Sequence, residues 1–101
     1  LVMSPHVEID REKLGELCRA YRVRRLALFG SVIRDDFGAE SDIDVLVEFE
    51  PNTKTGLSFF SLQEKLSELF GRPVDLSTPG FLSPRIRDKV ADEARPVYEA
   101  A

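Results

Sequence analysis

Residues 42–50 alternate between polar and apolar side chains, and this alternation constrains the fold more than any other segment. The apolar positions are Ile43, Val45, Val47 and Phe49. Successive side chains of a β-strand point to opposite faces, so one face of this segment is apolar. The other face carries carboxylates, with Leu46 as its single apolar residue. The segment therefore predicts a strand with one face in a core and one face that is acidic and open.

A short apolar run, Leu26-Ala27-Leu28-Phe29, precedes this strand and is typical of a central strand that is covered on both faces. It ends at Gly30-Ser31, and ten residues separate Ser31 from Asp42. Glycine permits close approach of the backbone, and a serine hydroxyl with free amide groups can hold a phosphate. Gly30 and Ser31 are therefore candidate phosphate ligands. An ordinary strand-to-helix turn with Ser31 as its N-cap explains the pair equally well.

Three amphipathic segments predict longer helices. Residues 9–22 carry apolar side chains at helical spacing, with Asp10 as the expected N-cap. A second helix is expected over residues 57–70, ended by Gly71. Ser83-Pro84 is a suitable start for a third helix, which Pro96 ends, so that residues 97–98 dock as a short tail.

Two shorter elements complete the predicted order. Residues 32–36 have a weak helical pattern, and residues 73–77 have room for a short strand in which Asp75 faces away from Val74 and Leu76. The order is therefore α-β-α-β-α-β-α. This pattern predicts an α/β (α+β) domain spanning residues 1–101, with helices packed mainly on one face of the sheet.

The charge of the chain is concentrated in one segment. The net charge is −4, yet residues 35–50 alone contain seven acidic and no basic side chains. Sequence-independent binding to nucleic acids requires a basic surface, so this acidic segment argues against it. No apolar run is long enough to cross a bilayer, and a single cysteine suits a reducing compartment. We therefore expect a cytoplasmic protein with a buried Cys18 and no membrane contact.

Asp42 and Asp44 are candidate metal ligands. Two residues apart on one strand, their carboxylates leave the same face with α-carbons about 6 to 7 Å apart. Oxygen ligands without histidine or cysteine favour Mg²⁺ or Mn²⁺ over zinc, and paired carboxylates can hold the two ions used in phosphoryl and nucleotidyl transfer. Acidic residues on a solvated face are also common, so the pair gains weight mainly from its spacing to Gly30-Ser31.

Four parts of the chain together form a recognisable signature: residues 26–31, Arg34, residues 41–47 and the closing segment 83–98. They resemble the minimal nucleotidyltransferases, the small antitoxin-type members of the polymerase-beta superfamily. The resemblance implies a mixed-sheet nucleotidyltransferase fold, ATP as substrate and Mg²⁺ as cofactor. It also implies three metal-site carboxylates, of which Asp42 and Asp44 are two and Asp75 is the third.

The resemblance implies a reaction and a partner. AMP would pass from ATP to a hydroxyl, expected to be a tyrosine of a HEPN-type toxin ribonuclease, and the modification would silence the toxin. Gly30 and Ser31 would then cradle the outgoing phosphates, and Asp75 would bind one ion or orient the attacking hydroxyl. Arg34 would neutralise a phosphate or stack on the base, although a plain surface arginine fits its position as well.

The sequence also departs from the family pattern, and two alternatives stay open. Where the family usually has a small residue, arginine and glycine after Gly-Ser, this chain has Ile33, Arg34 and Asp35 after Val32. The extra negative charge makes triphosphate binding a weaker expectation than metal binding. The main alternative is a non-catalytic antitoxin that occludes its partner, with an apolar contact surface drawn from Phe59, Phe60, Phe81 and Leu82. Transfer of a nucleotide to RNA is the other, which would require a basic groove and stacking aromatics.

Overall fold

The computed structural model of the protein describes residues 2–4, 7–30, 38 and 41–100. In chain order its elements are β1 (Val2–Ser4), β2 (Val7–Ile9), α1 (Arg11–Ala20), β3 (Val23–Phe29), β4 (Ile43–Phe49), α2 (Leu57–Phe70), β5 (Val74–Ser77), a 3-10 turn (Pro79–Phe81), α3 (Pro84–Glu93) and β6 (Arg95–Glu99). The predicted helix over residues 32–36 lies outside the described residues. Among the helices of the described part, none has the length and apolar character needed to span a membrane.

Four strands form the main sheet, in the order β5-β4-β3-β6. β3 pairs antiparallel with both β4 and β6, whereas β4 and β5 run parallel. β1 and β2 form a separate antiparallel pair. The sheet is therefore mixed, and together with three α-helices it confirms the predicted fold class. The chain adds the β1–β2 pair and β6 to the predicted order.

One side of the sheet, which we call the helix face, carries the main hydrophobic core. Its strand residues include Leu26, Leu28, Val45 and Val47, all fully buried. α1 and α2 supply the opposing layer of this core, with the side chains of Leu14, Cys18, Phe59, Leu62, Leu66 and Phe70. The alternation predicted for β4 is confirmed here, because its apolar face is the one that the helices cover.

Capping side chains and residues with a positive φ determine where α1 and α2 begin or end. The Asp10 carboxylate accepts hydrogen bonds from the backbone N–H groups of Glu12 (3.1 Å) and Lys13 (3.2 Å), which confirms the predicted N-cap. α1 ends two residues earlier than predicted, because Arg22 has a positive φ of 59° and turns the chain into β3. α2 has the predicted bounds, with Gly71 in the left-handed conformation that ends it.

α2 also holds the free edge of β5. The Ser67 hydroxyl accepts a hydrogen bond from the backbone N–H of Val74 at 3.0 Å, and the Gln63 amide oxygen accepts one from Leu76 at 2.9 Å. An edge strand otherwise presents unpaired N–H groups to solvent or to other chains. Asp75, between these two residues, is therefore on a strand that is held from both sides.

The other side of the sheet, which we call the carboxylate face, is less open than predicted. Leu46 is only 6% exposed, and Ala27, its cross-strand partner, is also buried. Both lie outside the main core, as does Val90, the buried residue of α3. The chain connects β5 to β6, which are the opposite edges of the sheet, through α3. The apolar centre of this face is thus covered, while its ends stay polar.

The predicted C-terminal tail is a strand. α3 ends at Glu93, earlier than the predicted stop at Pro96, because the chain is already extended at Ala94. Pro96 itself lies in β6, which pairs with β3. A proline is compatible with an edge strand because its missing N–H then costs no ladder hydrogen bond. The N-cap of α3 is confirmed, since the Ser83 hydroxyl accepts a hydrogen bond from Ile86 N–H at 3.4 Å.

Candidate functional site

Two of the candidate carboxylates lie side by side on the carboxylate face. Asp44 on β4 and Asp75 on β5 are register partners in the parallel pair. Neighbouring strands are about 4.8 Å apart, and residues in register point to the same face. Asp75 is exposed and Asp44 is half-buried. The sheet therefore brings together two residues that are 31 positions apart in the chain.

Gly30 lies directly against the carboxylate of Asp44. It follows the last residue of β3, Phe29, which is itself the register partner of Asp44. Its φ is +75°, and a Cβ at this position would collide with Oδ2 of Asp44 and lie 3.1 Å from its Cγ. Both the backbone conformation and the contact require glycine. The glycine predicted to bind phosphate thus has a second role, which is to make room for a candidate metal ligand.

Asp42 is exposed and comes immediately before β4. The segment before it is tied to the turn between α2 and β5: Nη2 of Arg72 donates hydrogen bonds to the carbonyl oxygens of Gly38 (2.6 Å) and Ser41 (2.8 Å). The backbone N–H of Ile43 also donates to the carbonyl oxygen of Pro73 at 2.9 Å. Asp42 therefore lies between Ser41 and Ile43, each of which is hydrogen-bonded to the approach to the strand of Asp75.

The carboxylates of this face differ in how they are neutralised. Glu48, at the far end of β4, accepts hydrogen bonds from Arg24 (3.1 Å) and Arg25 (3.2 Å) and forms ion pairs with both. Within the part of the chain that the structure describes, no ion pair or hydrogen bond is found for Asp42 or Asp75. Uncompensated like charges repel, and a bound cation would reverse the sign of that interaction.

The carboxylates fit a Mg²⁺ site of the kind used with nucleotides. No three acidic, histidine or cysteine side chains among the described residues are grouped closely enough to hold a metal ion by themselves. Mg²⁺ usually keeps several waters and takes one or two carboxylates together with substrate phosphates, so a preformed cage of three ligands is unnecessary. Asp42, Asp44 and Asp75 supply only oxygen donors, which suits Mg²⁺ or Mn²⁺.

Two of the predicted nucleotide ligands, Ser31 and Arg34, lie outside the described residues, as do Val32, Ile33 and Asp35. Arg72 was not a candidate in the sequence analysis. Its only local signal is its place between the helix-ending Gly71 and the strand that contains Asp75. Its hydrogen-bond partners are more than 30 residues away, so the sequence alone did not reveal them.

Buried Cys18 is not part of this site. It is fully buried on α1 and unpaired with another cysteine, and burial raises the pKa of its thiol from 9.0 to about 12. Thiolates rather than thiols act as nucleophiles and metal ligands. This confirms the prediction of a buried packing residue.

An apolar cavity lies at the opposite end of β4 and β5, between the start of α2 and the 3-10 turn. Its volume is about 480 Å³, and it is lined by Thr55, Gly56, Phe59, Phe60, Thr78 and Phe81. Phe59 is buried and belongs to the core rather than to an exposed contact surface, whereas Phe60 is 62% and Phe81 is 71% exposed. The rings of Phe60 and Phe81 both pack edge-on against Phe59. The molecule thus has a polar end and an aromatic end.

The chain is similar to known proteins in sequence and in fold. The nucleotidyltransferase domain family matches residues 10–97. The protein adenylyltransferase MntA of Thermococcus cleftensis is 37% identical over 92 residues, which cover 91% of this chain and 85% of the relative.

Solved structures share the fold. A toxin–antitoxin complex crystallised with AMP-PNP contains a chain that aligns with a TM-score of 0.72 at 22% identity, covering 91% of this chain and 75% of that one. A complex of a tri-AMPylated Shewanella oneidensis HEPN toxin with an MNT antitoxin aligns with a TM-score of 0.60 at 22% identity, covering 89% and 70%. On the family match and on the identity to its relative, this chain belongs to the nucleotidyltransferase domain family.

Proposed function

We propose that this nucleotidyltransferase transfers AMP from ATP to a hydroxyl group of a partner protein and releases pyrophosphate. The observation that carries the proposal is the pairing of Asp44 with Asp75 in register, directly beside Gly30 at the end of β3. ATP as the nucleotide is supported by the AMP-PNP bound in a complex of the same fold and by a relative named protein adenylyltransferase.

Each candidate residue of the site has a separate role in the proposed reaction. Asp42 and Asp44 would hold two Mg²⁺ ions, which Mn²⁺ could replace, and Asp75 would bind one ion or orient the attacking hydroxyl. When bound, the ions neutralise the phosphates and polarise the α-phosphorus. Gly30 and Ser31 cradle the outgoing phosphates through backbone N–H groups and the serine hydroxyl, and Arg34 neutralises one phosphate or stacks on the base. Catalysis consists mostly of positioning and charge stabilisation.

The bond changes are those of an in-line displacement. The acceptor hydroxyl gives its proton to solvent water as its oxygen bonds to the α-phosphorus of ATP. The bond from that phosphorus to the bridging oxygen breaks, and pyrophosphate leaves with the electron pair. Asp75 is exposed, so an acceptor side chain of another molecule can approach it. The products are a phosphodiester-linked AMP on the partner and free pyrophosphate.

The acceptor we propose is a tyrosine of a HEPN-type toxin, so that the protein acts as an antitoxin in a hetero-oligomer. The resemblance to antitoxin-type nucleotidyltransferases supports this, as does the tri-AMPylated HEPN toxin found with an MNT antitoxin of the same fold. Exposed Phe60, Phe81 and Leu57 offer a partner-contact surface at the aromatic end of the molecule. Large exposed aromatic residues are characteristic of protein interfaces.

The test is a transfer assay with α-labelled ATP, Mg²⁺ and the co-encoded partner protein. The Asp42→Asn plus Asp44→Asn double variant is expected to lose at least 1,000-fold in label transfer, because two of the three candidate ligands lose their charge. Glu48→Gln is the matched control: it removes one carboxylate from the same face of the same strand but is expected to keep transfer near the wild-type rate.

Label that still reaches the partner with the double variant would overturn the assignment. Replacing each partner tyrosine by phenylalanine then identifies the acceptor, which is a tyrosine only if one such change abolishes labelling. Mg²⁺ dependence is checked by removing the metal with EDTA and restoring it with Mg²⁺ or Mn²⁺.

A second candidate function, non-catalytic occlusion of the partner, is favoured by the exposure of Phe60 and Phe81. A double variant that loses all label transfer but still protects cells from the partner would establish occlusion. The reciprocal variant, Phe60→Ser plus Phe81→Ser, would then be expected to lose protection.

A further inference from the structure

Arg72 joins the two segments that carry the candidate metal ligands. It lies in the turn between α2 and β5, three residues before Asp75. Its Nη2 donates hydrogen bonds to the carbonyl oxygens of Gly38, at 2.6 Å, and of Ser41, at 2.8 Å. Ser41 immediately precedes Asp42. A single guanidinium group thus connects the approach to β4 with the approach to β5.

The chemistry of these contacts requires arginine. Each Nη atom of a guanidinium carries two N–H groups in a fixed plane, so one nitrogen can donate to two carbonyl oxygens at once. Hydrogen bonds from a charged donor are about twice as strong as neutral ones. A lysine ammonium has three rotatable donors on a flexible stem and does not hold two acceptors in one fixed geometry.

A backbone contact reinforces the same junction. The N–H of Ile43, the first residue of β4, donates to the carbonyl oxygen of Pro73, the residue after Arg72. Ser41 N–H in turn donates to the Gly38 carbonyl oxygen at 3.1 Å, so that this carbonyl accepts from both Ser41 and Arg72. Asp42 therefore lies between two anchored neighbours, although its own side chain is exposed.

We propose that Arg72 is a positioning residue for the metal site: it fixes Asp42 relative to Asp44 and Asp75 through the carbonyl groups of Gly38 and Ser41. The inference rests on the proposed function and adds to it a residue outside the ligand set. A carboxylate on an untethered segment would have to be ordered when the ion binds, which weakens the apparent affinity for the ion.

The test compares the Arg72→Ala, Arg72→Lys and Arg85→Ala variants with the wild-type protein. Arg85 is an exposed arginine of α3 and serves as the matched control for loss of one cation. Two measurements need no transfer reaction: hydrogen exchange of the Ile43 amide, and the Mn²⁺ concentration that half-broadens the NMR signals of Asp44 and Asp75. A third is the Mg²⁺ concentration for half-maximal AMP transfer.

In Arg72→Ala we expect the Ile43 amide to exchange at least 10-fold faster, and the half-broadening Mn²⁺ and half-maximal Mg²⁺ concentrations to rise about 10-fold. Arg72→Lys is expected to be intermediate, and Arg85→Ala to match the wild type. Because Arg72→Lys keeps the charge, it also provides the answer if the alanine variant does not fold.

Failure of this inference can be distinguished from failure of the proposed function. If the wild type transfers AMP and binds Mn²⁺ but both arginine variants keep its metal response, the role of Arg72 is overturned while the proposed function stands. If the variants are only less heat-stable, with unchanged metal response, the contact is structural and the inference is also overturned. A wild type that neither broadens with Mn²⁺ nor transfers AMP overturns the proposed function and this inference together.

Discussion

The two faces of the sheet use the same strands for different purposes. On the helix face, β4 contributes Ile43, Val45 and Val47, all fully buried. On the carboxylate face, the same strand contributes Asp44 and Glu48. Because neighbouring residues of a strand point in opposite directions, a rigid apolar layer lies directly behind the candidate site. The core thus fixes the backbone from which the carboxylates project.

We therefore expect stability and chemistry to be separable in this protein. Functional groups are most precise when they project from rigid elements. Side chains of the helix face are expected to determine the free energy of unfolding, and those of the carboxylate face to determine the transfer rate. A variant that changes one face is therefore expected to alter mainly one of these two quantities.

The largest effect is expected from the core. Leu62→Ala on α2 removes a fully buried side chain opposite the sheet and leaves a cavity. Such changes typically lower the free energy of unfolding by about 2 to 5 kcal/mol. Urea unfolding is expected to show this loss, while the AMP transfer rate per folded molecule stays near wild type.

The control is Lys65→Ala on the same helix, where the side chain is exposed and the change in the free energy of unfolding is expected to stay within about 0.5 kcal/mol. A transfer rate that falls in step with the stability of Leu62→Ala, under conditions where the variant is fully folded, would break the separation of the two faces.

The next effect concerns the carboxylate face. Gly30→Ala places a Cβ against the Asp44 carboxylate and strains a backbone with φ +75°. Displacing a ligand by about 1 Å can cost 100-fold in rate, so we expect transfer to fall about 100-fold. Single-turnover transfer at saturating ATP measures this directly.

Gly56→Ala separates backbone strain from ligand displacement. Gly56 also has a positive φ, +43°, but a Cβ there meets nothing within 4 Å. It is expected to lose about 1 kcal/mol of stability and to keep its transfer rate. Equal rate losses in the two glycine variants would show that displacement of Asp44 is not the cause.

Local patterns predicted most of the fold and part of the site. The alternation in β4, the N-cap at Asp10 and the bounds of α2 depend on neighbouring residues, and the structure confirms them. The orientation of Asp75 likewise follows from alternation, since Val74 and Leu76 are buried and Asp75 is exposed. These features need no knowledge of distant contacts.

Features that depend on contacts between distant parts of the chain could not be predicted from local sequence patterns. The burial of Leu46 depends on what crosses the carboxylate face, and β6 depends on a partner strand about 70 residues earlier in the chain. Arg72 finds its acceptors in another loop. In each case the residue type was compatible with several environments, and only the tertiary arrangement selects one.

The smallest predicted effect concerns the titration of Cys18, whose thiol is buried in the core on the helix face. Burial raises the pKa of Cys18 to about 12 in the folded protein, against 9.0 for an exposed thiol. Between these values the unfolded chain loses the thiol proton and the folded protein keeps it, so stability falls as the pH rises above 9. At pH 10 the loss of stability attributable to this thiol is about 1 kcal/mol.

The Cys18→Ala variant has no thiol to titrate. The difference in free energy of unfolding between wild type and variant, measured by urea unfolding, should therefore narrow by that amount from pH 8 to pH 10. A constant gap would mean that water reaches this part of the core, and the helix face would then be less closed to chemistry than the comparison requires.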